Sequence, residues 1–93
     1  MIQSFSCKET HKIAKGLVSH KLPINLQHII ARKLAMMDAA ETLEDLRVPP
    51  GNRLEALKGN RKGWYSIRVN TQWRICFQWI SKGPTNVEVI DYH

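Results

Sequence analysis

The residues best equipped for chemistry fall in two places: the closing run Asp91-Tyr92-His93, and an upstream set of cations, Lys58, Arg61, Lys62, Arg68 and Arg74. Cleaving RNA without a metal needs a base for the 2′-hydroxyl proton, cations to hold the pentacovalent phosphorane, and a proton source for the departing 5′-oxygen. His93 is the best proton-transfer group, because an unperturbed imidazole titrates near about pH 6.5. Asp91 could orient it or a neighbouring base. Tyr92 could stack on a base, position the phosphate through its hydroxyl, or simply close the end of the core. Arg74 suits phosphate stabilisation, since a guanidinium stays charged and can fork onto two oxygens; Lys58 would be a second cation and Arg68 a third.

Charge along the chain supports a polyanionic partner. Residues 38 to 45 carry Asp38, Glu41, Glu44 and Asp45, all acidic. Residues 47 to 74 carry seven basic residues, Arg53 among them, against Glu55 alone, a net +6 equal to that of the whole chain. Such clustering is the footprint of phosphate binding with counterion release, although a solvated surface that only confers solubility would look similar.

Ninety-three residues with 43% hydrophobic content suit one domain, with room for one sheet and two or three helices. The apolar stretches are broken by charge every few residues, and Met1-Ile2-Gln3-Ser4-Phe5 does not read as a leader, so neither export nor a membrane partner is expected. Cys7 and Cys76 lie far apart with no ligand-like neighbours, which argues against zinc and fits packed thiols in a reducing cytoplasm. His11, His20 and His28 lack metal-like spacing, and no metal or cofactor is expected.

The elements that must position these groups divide into a helical first half and a strand-rich second half, an α+β chain. Ile2 to Phe5 reads as a short strand. Ser6-Cys7-Lys8-Glu9 reads as a capping box opening a two-turn helix, with Gly16 as a left-handed stop. Pro23 opens a longer helix whose stripe is Leu26, Ile30, Leu34 and Met37, widened by Ile29, Met36 and Ala40; Gln27, Arg32, Lys33 and Asp38 fall toward the other side. Arg47 to Gly63 shows no period and contains Pro49-Pro50-Gly51-Asn52, which suggests a functional loop or a short element of its own. From Trp64 the period is two: one strand to Val69, a turn around Asn70-Thr71, a second strand from Gln72 to Trp79, a turn at Ser81-Lys82-Gly83-Pro84, and a third strand from Val87 to Tyr92.

Alternation sets the faces. If Ile67, Val69, Ile75 and Phe77 point at the helices, Arg68 and Arg74 point together to an open face, with Lys58 and Arg61 arriving from the basic loop. Either arginine could instead merely solubilise the outside of a half-buried sheet.

Four segments in order, Leu57-Lys58-Gly59-Asn60-Arg61, Trp64 to Val69, Gln72 to Phe77 and Asp91-Tyr92-His93, resemble the HigB toxins of the RelE/ParE superfamily, or plasmid maintenance killer proteins. Pro49 to Glu55 is similar to the GraT-type branch. The resemblance implies a RelE-like microbial ribonuclease fold, with two helices on an antiparallel sheet whose last three strands form a meander. It also implies metal-free cleavage of mRNA in the ribosomal A site, and neutralisation by a HigA-like helix-turn-helix antitoxin whose complex binds its own operator DNA. His93, Asp91, Tyr92, Arg74, Lys58 and Glu55 would be catalytic; Arg53, Arg61, Lys62, Arg68 and Trp64 would bind RNA and ribosome.

One departure stands out: where the family carries a histidine followed by proline, this chain reads Leu54-Glu55-Ala56. Either Glu55 acts as base with His93 as acid, or Glu55 is a surface residue and the enzyme is weaker or ribosome-assisted. Two further readings stay open, a ParE-like gyrase poison and a non-catalytic RNA-binding module.

Overall fold

The computed structural model describes residues 1–91. Helices α1 (Lys8–Ala14) and α2 (Gln27–Ala39) precede strands β1 (Glu55–Ala56), β2 (Trp64–Arg68), β3 (Trp73–Ile80) and β4 (Gly83–Asp91). The sheet order is β1-β2-β3-β4, antiparallel throughout. The opening segment runs beside β4, with Gln3 N donating to the Pro84 carbonyl and Phe5 in a parallel bridge to Val87, but does not form a full strand.

The stripe expected on the long helix is what the fold buries. Ile30, Leu34 and Met37 are almost fully enclosed, and Leu26 and Ala40 are nearly so, against Ile67, Ile75, Phe77, Val87 and Val89 of the sheet. Each of these apart from Ala40 contributes roughly 1.5–3 kcal/mol relative to exposure, an upper estimate. The helix starts later than Pro23 suggests, because Ile24–Leu26 is a turn of 3₁₀ helix ahead of it. Gly16 does take the left-handed conformation, φ +83°.

Two polar expectations fail for identifiable reasons. Ser6 does not cap α1: the N-cap is Cys7, Ser6 Oγ donates to the Asn86 carbonyl, and Glu9 instead accepts from Ser19 Oγ at 2.7 Å. That hydroxyl, aided by Lys12, holds the Glu9 carboxyl below its ordinary range. Gln27 does not face solvent: it is buried, accepts from Ser19 N and donates to the Ser19 and Leu22 carbonyls. A side-chain amide thus satisfies the backbone of the α1–α2 connection.

The aperiodic segment carries short elements of its own. Thr42 and Asp45 form a capping box on the 3₁₀ turn Leu43–Arg47, and the Glu41 and Thr42 amides hold the Asp45 carboxyl below its usual range. Asn52, fully buried, donates to the Leu46 and Val48 carbonyls and accepts from Lys33 Nζ. It ties this segment to α2, and burial lowers the Lys33 pKa. After Asn52 the chain turns through Arg53, left-handed at φ 45°, and enters β1.

Both hairpins form at the expected turns. Asn70 Oδ1 accepts from the amides of Gln72 and Trp73, an Asx-type closure of the first. The second strand pair contains a bulge: Cys76 opposes Glu88 but Gln78 opposes Thr85, leaving one extra residue in β4, where Asn86 adopts φ 53°. The last strand therefore begins at Gly83, earlier than Val87.

Candidate active site

The face of the sheet turned away from the helices is built by register. Glu55, Ser66, Cys76 and Glu88 form one row across all four strands, and Arg68 stands opposite Arg74 with Ile90 beyond it in the next. From the 53–62 segment the Arg53 carbonyl and the Arg61 guanidinium reach this face.

Arg68 and Arg74 thus share a face, but that face is not open at Arg74. The Arg74 residue is 9% exposed and its guanidinium is engaged in the sheet: Nε donates to Ser66 Oγ at 2.7 Å and Nη2 to the Arg53 carbonyl at 2.7 Å. The Glu55 carboxylate, half exposed, lies 4.0 Å from the same Nη2. The left-handed turn at Arg53 aims its carbonyl back at β3 and brings β1 beside β2, where Leu57 N donates to the Trp64 carbonyl.

Toward β4 the basic loop is clipped down. Arg61, from the 3₁₀ turn Gly59–Arg61, lays its guanidinium 4.4 Å from the centre of the Trp64 ring and donates to Glu88 Oε1 at 2.8 Å. Cys76 lies between these charges, fully buried. Burial pushes its thiol up to about 11, so it is neutral near pH 7.

The remaining candidates are dispersed. Lys58, Lys62 and Arg53 have exposed side chains on the loop, and Arg68 is half-buried. Asp91 opposes Trp73, so alternation sends it to the opposite side of the sheet from Arg74, where it accepts from Gln72 Nε2 at 3.0 Å. Tyr92 and His93 lie outside the described residues. The structure therefore gathers Glu55, Arg74, Arg61 and Trp64 on one surface with Arg68, and separates Asp91 from them.

Three residues of this face, Ser66, Cys76 and Glu88, escape the sequence reading. Ser66 and Cys76 follow from the parity of Arg68 and Arg74 and were available as i−2 and i+2 neighbours. Glu88 follows in the same way, since it stands between Val87 and Val89, both buried in the core.

A separate groove of about 470 Å³ lies on the helical side, lined by Ile2, Phe5, His11, Ala31 and Ala35 among others; it contains none of the predicted site residues.

A model of RelE-like toxins of the type II toxin-antitoxin system HigB matches residues 5–93. This chain belongs to the HigB-like toxin family. It is 55% identical over 62 residues to Toxin HigB-1 of Vibrio cholerae, an alignment covering 66% of this chain and 65% of that protein, just under two thirds of its length. It is 32% identical to Endoribonuclease HigB of Proteus vulgaris over the full length of both. The crystal structure of YafQ from E. coli superposes with a TM-score of 0.60 at 17% identity, covering 98% of this chain and 91% of that one, a likeness of fold.

Proposed function

We propose that this HigB-like chain acts as a single toxin domain that cleaves mRNA on the ribosome without a metal, arresting translation and growth until its antitoxin binds. The name of the Proteus vulgaris relative supports the activity. The observation that carries the reading is the Arg74–Glu55 arrangement: a buried, hydrogen-bonded guanidinium with an accessible carboxylate 4.0 Å away. Ser66 and the Arg53 carbonyl fix this cation in the floor of the face, so its positive charge is pre-oriented toward a phosphorane held above it, and the half-exposed carboxylate beside it suits a proton acceptor.

In this mechanism Glu55 takes the 2′-hydroxyl proton as the 2′-oxygen attacks phosphorus. Arg74, with Lys58 and Arg68, balances the charge that collects on the equatorial oxygens. His93 gives its proton to the departing 5′-oxygen. Exposed Arg53 and Lys62 bind the surrounding RNA. A chain of 93 residues has little surface with which to orient a substrate, and a codon fixed by the decoding centre supplies that orientation. The site of action is then the cytoplasm, and the toxin–antitoxin complex binds its own operator DNA.

Primer extension on translated mRNA after induced expression tests the reading, with the native chain compared with Arg74→Ala and His93→Ala. New 5′ ends are expected in the native sample, with loss in both variants. Their absence from the native sample would sink the ribonuclease assignment.

A further inference from the structure

Arg61 is held by two partners at once: its guanidinium sits over the Trp64 ring while an N–H donates to the Glu88 carboxylate. A carboxylate is an odd component for a face meant to receive phosphates, since unless something donates to it, it repels the ligand. Glu88 is placed there by register, opposite Cys76 on β3.

We propose that the space between the Trp64 ring and the Glu88 carboxylate is a guanine-reading subsite, filled in the free protein by the Arg61 guanidinium; this rests on the ribonuclease reading above. Guanine carries the same two features as the group now in place: a flat π surface, and adjacent N1–H and N2–H donors in the N–C–N arrangement of a guanidinium. Unpaired RNA bases are recognised in this manner, by stacking on an aromatic ring with hydrogen bonds to the Watson–Crick edge. Adenine and cytosine place an acceptor nitrogen beside their amino group, which a carboxylate repels, and the uracil N3–H is flanked by two carbonyls.

The exchange conserves strong contacts. When RNA arrives, Arg61 leaves Glu88 for a backbone phosphate, and Glu88 receives the base donors in its place, one charge-assisted pair for another. Both partners are reachable, with side chains 39% exposed for Arg61 and 20% for Glu88. Gly59 and Gly63, both at positive φ, bracket the segment that has to move.

The test uses 2′-O-methyl oligouridines, which cannot be cleaved through the blocked hydroxyl, each carrying one central G, A, C or U. Labelled oligonucleotides are titrated into the native chain and Glu88→Gln, and anisotropy is read. The guanine oligonucleotide is expected to bind native protein at least about fivefold tighter than the other three, the low end for a bidentate base contact. Glu88→Gln should reduce that advantage below about twofold. Equal binding of all four by the native chain would overturn the subsite even if Glu88→Gln failed to fold. An undiminished guanine advantage in folded Glu88→Gln would do the same. Since these oligonucleotides are never cut, guanine selectivity is read separately from the primer-extension result, and the two failures are told apart.

Discussion

Ser66 and Arg74 are joined across β2 and β3 by a buried hydrogen bond, Nε donating to Oγ at 2.7 Å, and the same guanidinium reaches the Arg53 carbonyl and the flank of Glu55. Sheet and loop therefore hold the principal cation together. Ser66→Ala would leave a charged donor buried without that partner, at a cost of about 1–3 kcal/mol, which for a domain of this size is several degrees of melting temperature. Cleavage should fall with it, and Ser66→Thr, which keeps the hydroxyl, should recover more activity than alanine. Melting followed by circular dichroism together with primer extension decides; no change in either would mean that the contact positions nothing.

Glu55 stands where the HigB resemblance places a histidine, and it keeps company with Arg74 at 4.0 Å. Glu55→Ala is expected to slow cleavage on isolated ribosomes by roughly 10²-fold, the lower range for loss of a general base, with little change in melting because the side chain is half exposed. An unchanged rate would remove Glu55 from the mechanism.

Cys76 gives a pH signature that belongs to the fold rather than to catalysis. Its thiol titrates at about 11 against an ordinary 9.0, so between those values the native chain keeps a proton that the unfolded chain has lost. This contribution is intact below pH 9.0 and is lost as pH rises to about 11. Denaturant unfolding of native and Cys76→Ala chains at pH 8 and about pH 11 should show a steeper alkaline loss in the native chain, by up to about 2 kcal/mol. Parallel losses in the two chains would contradict the burial of the thiol.

Asn52 is the stability test set apart from the chemistry. Alanine there strands the Leu46 carbonyl and the Lys33 ammonium and opens a void, a loss of about 2–4 kcal/mol. Growth inhibition should survive at a permissive temperature and fail on warming, whereas a site variant should fail at both; equal toxicity at all temperatures would show the segment to be held by other contacts.

Much of this architecture was legible because it repeats. Leu26, Ile30, Leu34 and Met37 recur at helical spacing, and the β2–β3 hairpin alternates cleanly, so both survive the passage from pattern to packing. Strand β1 could not be read: two exposed residues carry no period, and what makes Glu55–Ala56 a strand is the long-range pairing with Tyr65 and Ser66. Gln27 and Ser6 were misread because polarity says nothing about which backbone groups need a partner. The shared face of Arg68 and Arg74 followed from parity alone. The burial of Arg74 did not, since it depends on a carbonyl delivered by a turn 21 residues upstream.

That turn gives Arg53 two separable identities. Its side chain is an exposed cation, while its main chain, at φ 45° and ψ 54°, is an anchor for the arginine beneath the site. Alanine scanning would score only the first, deleting charge and leaving the carbonyl where it is. A β-branched residue such as valine, which resists left-handed backbone, would disturb the second. Position 53 would then lose one contact to RNA when its charge is deleted, but the seat of Arg74 when its shape is changed, so shape there weighs more than charge.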